Sequence, residues 1–288
     1  MGKALIEKAN GKFEIAATYK GEYEMRSAGR VKYYNLDIRD KKKYCDLFKE
    51  FKPDAVIHAA GIGNPDYAQK YKKETRELNF GGTKGIIENC EKLGSKFIYI
   101  SSTAIYDGNS APYAEEDEAK PVNYYGQIKL ECEAIAKKAK VAWAIVRPIL
   151  MYGWNYAFER PNIITIGIPK LRKKEKFFVY EDVYYTPLYY YSCAEAIWAI
   201  IDKNKFEIFN IGGKDRLSIY ELMKEVAGVF ELDENLLIPV QQGFFKELVK
   251  RPKDTSYNTA KMESILDLRP LGIREGLELM RGKEEQTV

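Results

Sequence analysis

Apolar positions along this chain switch repeatedly between a strand-like and a helix-like spacing. KALIEKA at 3–9 reads as a short helix, and Asn10 with Gly11 supplies its stop. FEIAATY at 13–19 follows as a buried strand, and VKYYNLDI at 31–38 as a second. RDKKKYCDLFKEF at 39–51 has helical periodicity, with Tyr44, Leu47, Phe48 and Phe51 on one face. DAVIHAAG at 54–61 is a third strand running into a loop of small residues, and ETRELNFGGTKGIIENCEKLG at 74–94 is a helix ending at Gly94. KFIYISS at 96–102 predicts a fourth strand, NYYGQIKLECEAIAKKA at 123–139 a helix and VAWAIVRP at 141–148 a fifth strand. Such alternation implies βαβ units: a parallel sheet with helices on both faces. After Pro148 the pattern loosens. YSCAEAIWAIIDK (191–203) and KFEIFNIGG (205–213) give one more helix and strand, while SIYELMKEVAGVF and TAKMESIL are less regular. The expected fold is therefore α/β. Residues 1–148 and 186–212 form a doubly wound nucleotide-binding domain, and 149–185 with 213–288 a smaller substrate domain.

Composition narrows the function classes. The 288 residues suffice for a sizeable core. The net charge of +4 is spread along the chain, and runs such as DKKKYC and KLRKKEKF read as solvated faces rather than nucleic-acid patches. The four cysteines show no CxxC spacing and there is one histidine, so no metal site is expected. Free thiols fit a reducing cytoplasm. No apolar run approaches the ~18 residues of a membrane span, so no membrane partner is expected. Abundant lysine and glutamate with scarce glutamine lean towards a thermophile.

Candidate chemistry begins at YYGQIK, where Tyr125 and Lys129 share one helical face. A nearby ammonium stabilises a phenolate, which lets a tyrosine act as acid or base closer to neutral pH. The spacing alone is uninformative. The 22 tyrosines produce three Tyr-x-x-x-Lys pairs, the others being Tyr220/Lys224 and Tyr257/Lys261. Context separates them. Only Tyr125 follows a buried strand that ends in hydroxyls, Ser101, Ser102 and Thr103, at the edge where doubly wound sheets bind ligands.

DAVIHAAG, LNFGGT, FIYISSTAIYDG, YYGQIKLECE and VRPILMYG stand in the order and spacing of the extended short-chain dehydrogenase/reductase family, which the chain resembles from Gly2 to about residue 280. RPKDTSYNTAKMESIL resembles the C-terminal signature of its nucleotide-sugar members, in the branch containing dTDP-4-dehydrorhamnose reductase and the regulatory subunit of methionine adenosyltransferase. The resemblance implies an NAD(P)-dependent reductase or epimerase of a nucleotide-linked 4-keto sugar, or a non-catalytic regulatory subunit of the same fold. It implies that Tyr125 moves the proton, that Lys129 binds the nicotinamide ribose, and that Ser102, with Thr103 beside it, orients the carbonyl. Asn79 would lie near the nicotinamide end, and Asp37 and Ile38 would flank the adenine. Ala59, Ala60 and Gly61 would let the dinucleotide backbone approach. Arg251 would meet the substrate diphosphate through bidentate contacts, with Tyr152 also on the substrate side. A homodimer packed through the Asn79 and Tyr125 helices is implied as well.

Departures from the branch bear on substrate and cofactor. Ser102-Thr103 replaces a Thr-Asp pair, Leu150 a tryptophan, and Tyr191-Ser192 an acidic pair. Thr18, Tyr19 and Lys20 supply no acid for a ribose 2′-hydroxyl, as NAD recognition asks, while Lys20 tolerates a 2′-phosphate. The cofactor expected is NADP or NAD, leaning to NADP. Gly2 fits the last glycine of a strand-G-x-x-G-x-x-G fingerprint, with Thr18 about 20 residues from its start, as that fingerprint requires. The expectation is a fold whose first strand and first two loop glycines are absent from this chain. Three accounts stay open: Met1 is an internal residue of that loop, the shorter chain has lost dinucleotide binding, or another segment fills the gap.

Overall fold

The structure, a computed structural model, describes residues 1–155, 159–246 and 248–284. Helix α1 (Gly2–Lys8) ends where Asn10 and Gly11 take φ values of 48° and 67°. Strands β1 (Ile15–Tyr19) and β2 (Val31–Asn35) lead to α2 (Lys41–Phe51), whose first turn is capped by Asp40 accepting from Lys43 N at 3.1 Å. Then come β3 (Ala55–His58), α3 (Pro65–Lys70) and α4 (Lys72–Thr75). A π-helical turn, Arg76–Gly81, joins α4 to α5 (Gly82–Leu93). The single helix predicted over 74–94 is thus broken by that turn. Strand β4 (Lys96–Ile100), helix α6 (Tyr124–Ala136) and strand β5 (Trp143–Pro148) complete the regular half.

The remaining elements are β6 (Met151–Tyr152), α7 (Ile163–Arg172), β7 (Phe177–Tyr180), β8 (Tyr184–Tyr185), β9 (Leu188–Tyr189), α8 (Tyr190–Asp202), β10 (Ile208–Ile211), β11 (Leu217–Ser218), α9 (Ile219–Val229), β12 (Leu237–Val240), α10 (Ala260–Leu266) and α11 (Ile273–Arg281). Helices α7 and α11 were not anticipated. In α7 the apolar residues run without a polar stripe and Pro169 lies inside, so periodicity gives no signal, whereas the Asn162/Thr165 capping box does mark its start.

The sheet is parallel and falls into two parts. One runs β10-β5-β4-β3, with Ile57 opposite Ile98 and Ile98 opposite Ala144. The other is β1-β2, with Ala17 opposite Tyr33. Among the described residues no strand pairs with the second edge of β1 or of β3. Those two edges are open among the described residues. Burial tells the same story. Phe97, Ile98, Ile145 and Val146 of β4 and β5 are fully buried, while Ala16, Ala17, Val56 and Ile57 on the open strands are half-buried.

Side chains alternate across β4. Ile98 and Ile100 face a large core with Val146, Ile197, Phe209, Leu222, Met223, Leu277 and Met280. Phe97 and Tyr99 face a second core with Ile38, Phe48, Ile86, Ile128 and Ile145. The larger core runs continuously through both of the expected domains.

Candidate active site

Of the residues singled out by sequence, Thr18, Lys20, Asp37, Ile38, Ala59, Ala60, Gly61, Ser102 and Thr103 lie at or just after the carboxyl ends of β1 to β4, the edge where doubly wound sheets bind ligands. At the end of β4, helix α6 makes an unusually close approach. A Cβ on Gly126 would lie 2.1 Å from the Ala104 carbonyl oxygen, so glycine beside Tyr125 is what lets the helix touch the loop after β4. Asn123 caps this helix, accepting from Gly126 N at 3.0 Å.

Tyr125 and Lys129 are both buried. The Lys129 ammonium donates to the Ile100 carbonyl at 2.7 Å and lies over the rings of Tyr99 and Tyr125, 4.8 and 5.9 Å from their centroids. Ser102 is half-buried, and its oxygen accepts from Ala104 N at 3.2 Å, which leaves its O–H to donate. Thr103 turns the other way and donates to the Thr255 carbonyl at 3.2 Å. The two rival pairs have other duties: Lys224 pairs with Glu234 at 3.9 Å, and Lys261 with Glu207 at 2.5 Å.

Behind this group lies a network that the sequence reading missed. Glu133, one turn beyond Lys129, accepts from Arg147 Nε at 2.9 Å, Arg147 Nη2 at 2.7 Å and Ser101 Oγ at 2.6 Å. Arg147 Nη1 donates to Tyr106 Oη at 2.7 Å and to the Glu115 carbonyl at 3.1 Å. Burial works against the arginine's charge, yet the Glu133 carboxylate overrides it and keeps Arg147 more basic than usual. The signal was present in the 125, 129, 133 spacing along one face of α6.

At the end of β3, Ala59, Ala60 and Gly61 are exposed. Gly61 takes φ 150°, and a Cβ there would sit 3.0 Å from Asn79 Oδ1. The Asn79 amide clamps this loop, accepting from Ile62 N at 2.7 Å and donating to the Ile62 carbonyl at 3.0 Å. The Asn79 carbonyl, in the π-helical turn, accepts from Thr83 Oγ1 at 2.5 Å and from Cys132 Sγ at 3.6 Å. Since the Thr83 proton is thus used, His58 Nε2 donates to Thr83 Oγ1 at 3.0 Å. Burial, with the Lys129 charge adding, pushes the His58 imidazole down to about 3.

At the ends of β1 and β2, Asp37 receives Arg39 N, Nε and Nη2 at 2.9, 3.0 and 2.6 Å and Lys20 Nζ at 2.9 Å. The Arg39 hydrogen bonds, helped by Lys20, hold the Asp37 carboxyl far below the usual range. Arg39 was missed by sequence, although it directly follows Asp37 and Ile38. Thr18 and Gly2 are exposed, whereas Ile38 is buried beneath α5, where a Cβ on Gly82 would meet its Cδ1 at 2.6 Å.

The two substrate-side residues lie apart. Arg251 Nη2 donates to Asp66 Oδ2 at 2.6 Å and Nη1 to the Val249 carbonyl at 3.0 Å. Tyr152 is buried in the large core, its hydroxyl against Gly276, and burial pushes its phenol pKa well up, making it a weaker acid. Tyr191, noted for replacing an acid, donates to Glu7 of α1. The four cysteines are free, and the described residues hold no cluster of metal-ligating groups and no helix long and apolar enough to cross a membrane.

The parallel α/β sheet, with a buried Tyr/Lys pair beside the end of β4, is a Rossmann-like fold of the kind seen in the solved structures named below. More particularly, residues 1–284 match the RmlD substrate binding domain family, and the chain belongs to it. It is 24% identical over 242 residues to methionine adenosyltransferase 2 subunit beta of Rattus norvegicus, covering 82% of this chain and 72% of the relative. It is 27% identical over 146 residues to dTDP-4-dehydrorhamnose reductase of Sinorhizobium fredii, covering 50% of this chain and 48% of that protein. The fold superposes on dTDP-4-dehydrorhamnose reductase of Bacillus anthracis in complex with NADP, with a TM-score of 0.85 at 22% identity over 98% of this chain and 95% of that one. It also superposes on UDP-glucose 4-epimerase of Thermotoga maritima with UDP-glucose, with a TM-score of 0.87 at 17% identity over 100% of this chain and 96% of the other.

Proposed function

We propose that this protein is an NAD(P)-dependent reductase or epimerase acting on a nucleotide-linked 4-keto sugar. The observation that carries the reading is Lys129 held against the Ile100 carbonyl, one helical turn from Tyr125 and two residues from Ser102. Tyr125 exchanges a proton with the sugar carbonyl oxygen, Lys129 supports the phenolate, and the Ser102 hydroxyl donates to the same oxygen and orients it.

The residues present fit a dinucleotide. Ala59, Ala60 and Gly61 form an exposed wall of small residues that admits a close approach. Lys20 and Arg39 would hold a 2′-phosphate, which favours NADP over NAD. When bound, the nicotinamide supplies or takes up the hydride. Arg251 would meet the substrate diphosphate after leaving Asp66. The family resemblance extends this reading to a cytoplasmic homodimer packed through α5 and α6.

The test is turnover of dTDP- or UDP-4-keto-6-deoxy sugars with NADPH. Tyr125→Phe is expected to lower kcat by about 10²–10⁴-fold with an unchanged melting temperature. Retained turnover refutes the assignment. A second reading, a non-catalytic regulatory subunit, is favoured by the alignment with methionine adenosyltransferase 2 subunit beta over most of the chain and by Tyr191 in place of an acid. Absence of turnover in the unaltered protein, together with saturable binding to a methionine adenosyltransferase, would establish that reading instead.

A further inference from the structure

The ion pair between Glu133 and Arg147 is almost fully buried, with side-chain exposures of 0% and 3%, and Lys137 at the end of the same helix approaches the Glu133 carboxylate at 3.9 Å. Burying two charges costs several kcal/mol per ion, and an apolar pair of similar volume usually supports a fold as well or better. Stability therefore does not explain why charges stand here. What they provide is direction: three charge-assisted hydrogen bonds converge on one carboxylate from two strands' ends. Glu133 lies two turns from Tyr125 and one from Lys129 on the same face of α6. Its partner Ser101 immediately precedes Ser102, and the carbonyl that Lys129 grips belongs to Ile100, the residue before that. Helix α6 is thus pinned to the end of β4 at two successive residues, from two successive turns. Slippage or rotation of the helix would break both ties together.

We propose that Glu133 is a positioning residue of the site, fixing where Tyr125 and Lys129 stand relative to Ser102, with Arg147 and Ser101 orienting its carboxylate. The inference rests on the acid–base reading of Tyr125, so its test has one arm that needs turnover and one that does not.

The first arm compares kcat, KM and urea midpoints for the unaltered protein, the double variant Glu133→Met/Arg147→Met, and Ser101→Ala. The double variant should keep its urea midpoint, lose about 10–100-fold in kcat, and change KM by less than about threefold. Ser101→Ala, which removes one hydrogen bond and leaves the ion pair, should lower kcat by a smaller factor in the same direction, and it serves if the double variant does not fold. The second arm places 3-fluorotyrosine at position 125 and follows its ¹⁹F resonance. The signal should shift or broaden in both variants, and stay in place when the surface pair Arg281/Glu231 is removed instead. Unaltered kcat or an unmoved resonance in a folded variant overturns the inference. If the unaltered protein does not turn over any 4-keto sugar, the functional reading fails while the resonance still decides the role of Glu133.

Discussion

Single side chains carry most of what is unusual about this protein. Lys129 is held by a main-chain carbonyl and two aromatic faces rather than by a carboxylate. Its charge stands over the face of the Tyr125 ring. The same charge, added to full burial, keeps His58 neutral. A histidine whose folded value is about 3 against 6.5 when unfolded binds fewer protons in the folded state across that window. Its contribution to stability is then fully present above pH 6.5 and declines as the pH falls towards 3, by at most ~1.4 kcal/mol per pH unit. Urea midpoints measured from pH 7 to pH 4 should fall more steeply for the unaltered protein than for His58→Gln, once the general acid response is subtracted. Parallel curves would exclude the histidine as the cause. Reading the sequence located Tyr125, Lys129 and Ser102 because their types and spacing carry their chemistry. It missed Asp66 because only Arg251, met in space, marks it, and it missed Arg39 although Asp37 stands two residues before it.

Elements were legible where one local rule dominated. Strands β4 and β5 are apolar runs bounded by turn residues, and they appear as expected. The π-helical turn Arg76–Gly81 was not legible, because nothing in the pattern of RELNFG departs from helical spacing. It is visible only once the Asn79 side chain is seen holding the loop after β3. Helix α9 shows the opposite case. Its start is fully local, a capping box in which Ser218 accepts from Glu221 N at 3.1 Å and Glu221 accepts from Ser218 N at 2.8 Å. Ser218→Ala should cost about 1 kcal/mol, read as a lowered urea midpoint at constant m-value. No loss would mean that packing of Leu222, Met223 and Val226 alone fixes the helix start.

At the scale of the whole molecule, the two-part sheet sets the distribution of stability. Strands β3, β4, β5 and β10 are laced together and sandwiched between two cores, whereas among the described residues β1 pairs only with β2. Local opening follows burial and pairing, so amides of β1 and β2 should exchange with solvent faster than those of β4 and β5 by hydrogen-exchange mass spectrometry. Equal protection would show that β1 and β2 open only with global unfolding. The continuous large core crosses the boundaries expected at 148 and 186.

The sequence by itself determined the α/β alternation and the parallel sheet, because the period of apolar positions is local; it singled out Tyr125, Lys129 and Ser102 through the hydroxyl-ended strand before them and the family resemblance, not through spacing alone. Only the tertiary structure decided which Tyr-x-x-x-Lys lysine is free of a carboxylate and which cations surround Asp37. It likewise decided that Glu133 joins α6 to Arg147 of β5 and to Ser101 after β4, and that among the described residues no strand pairs with the second edge of β1 or of β3. Those outcomes depend on burial and on contacts between residues far apart in the chain, and burial is what turns an ordinary hydrogen bond or ion pair into one strong enough to hold a site in place.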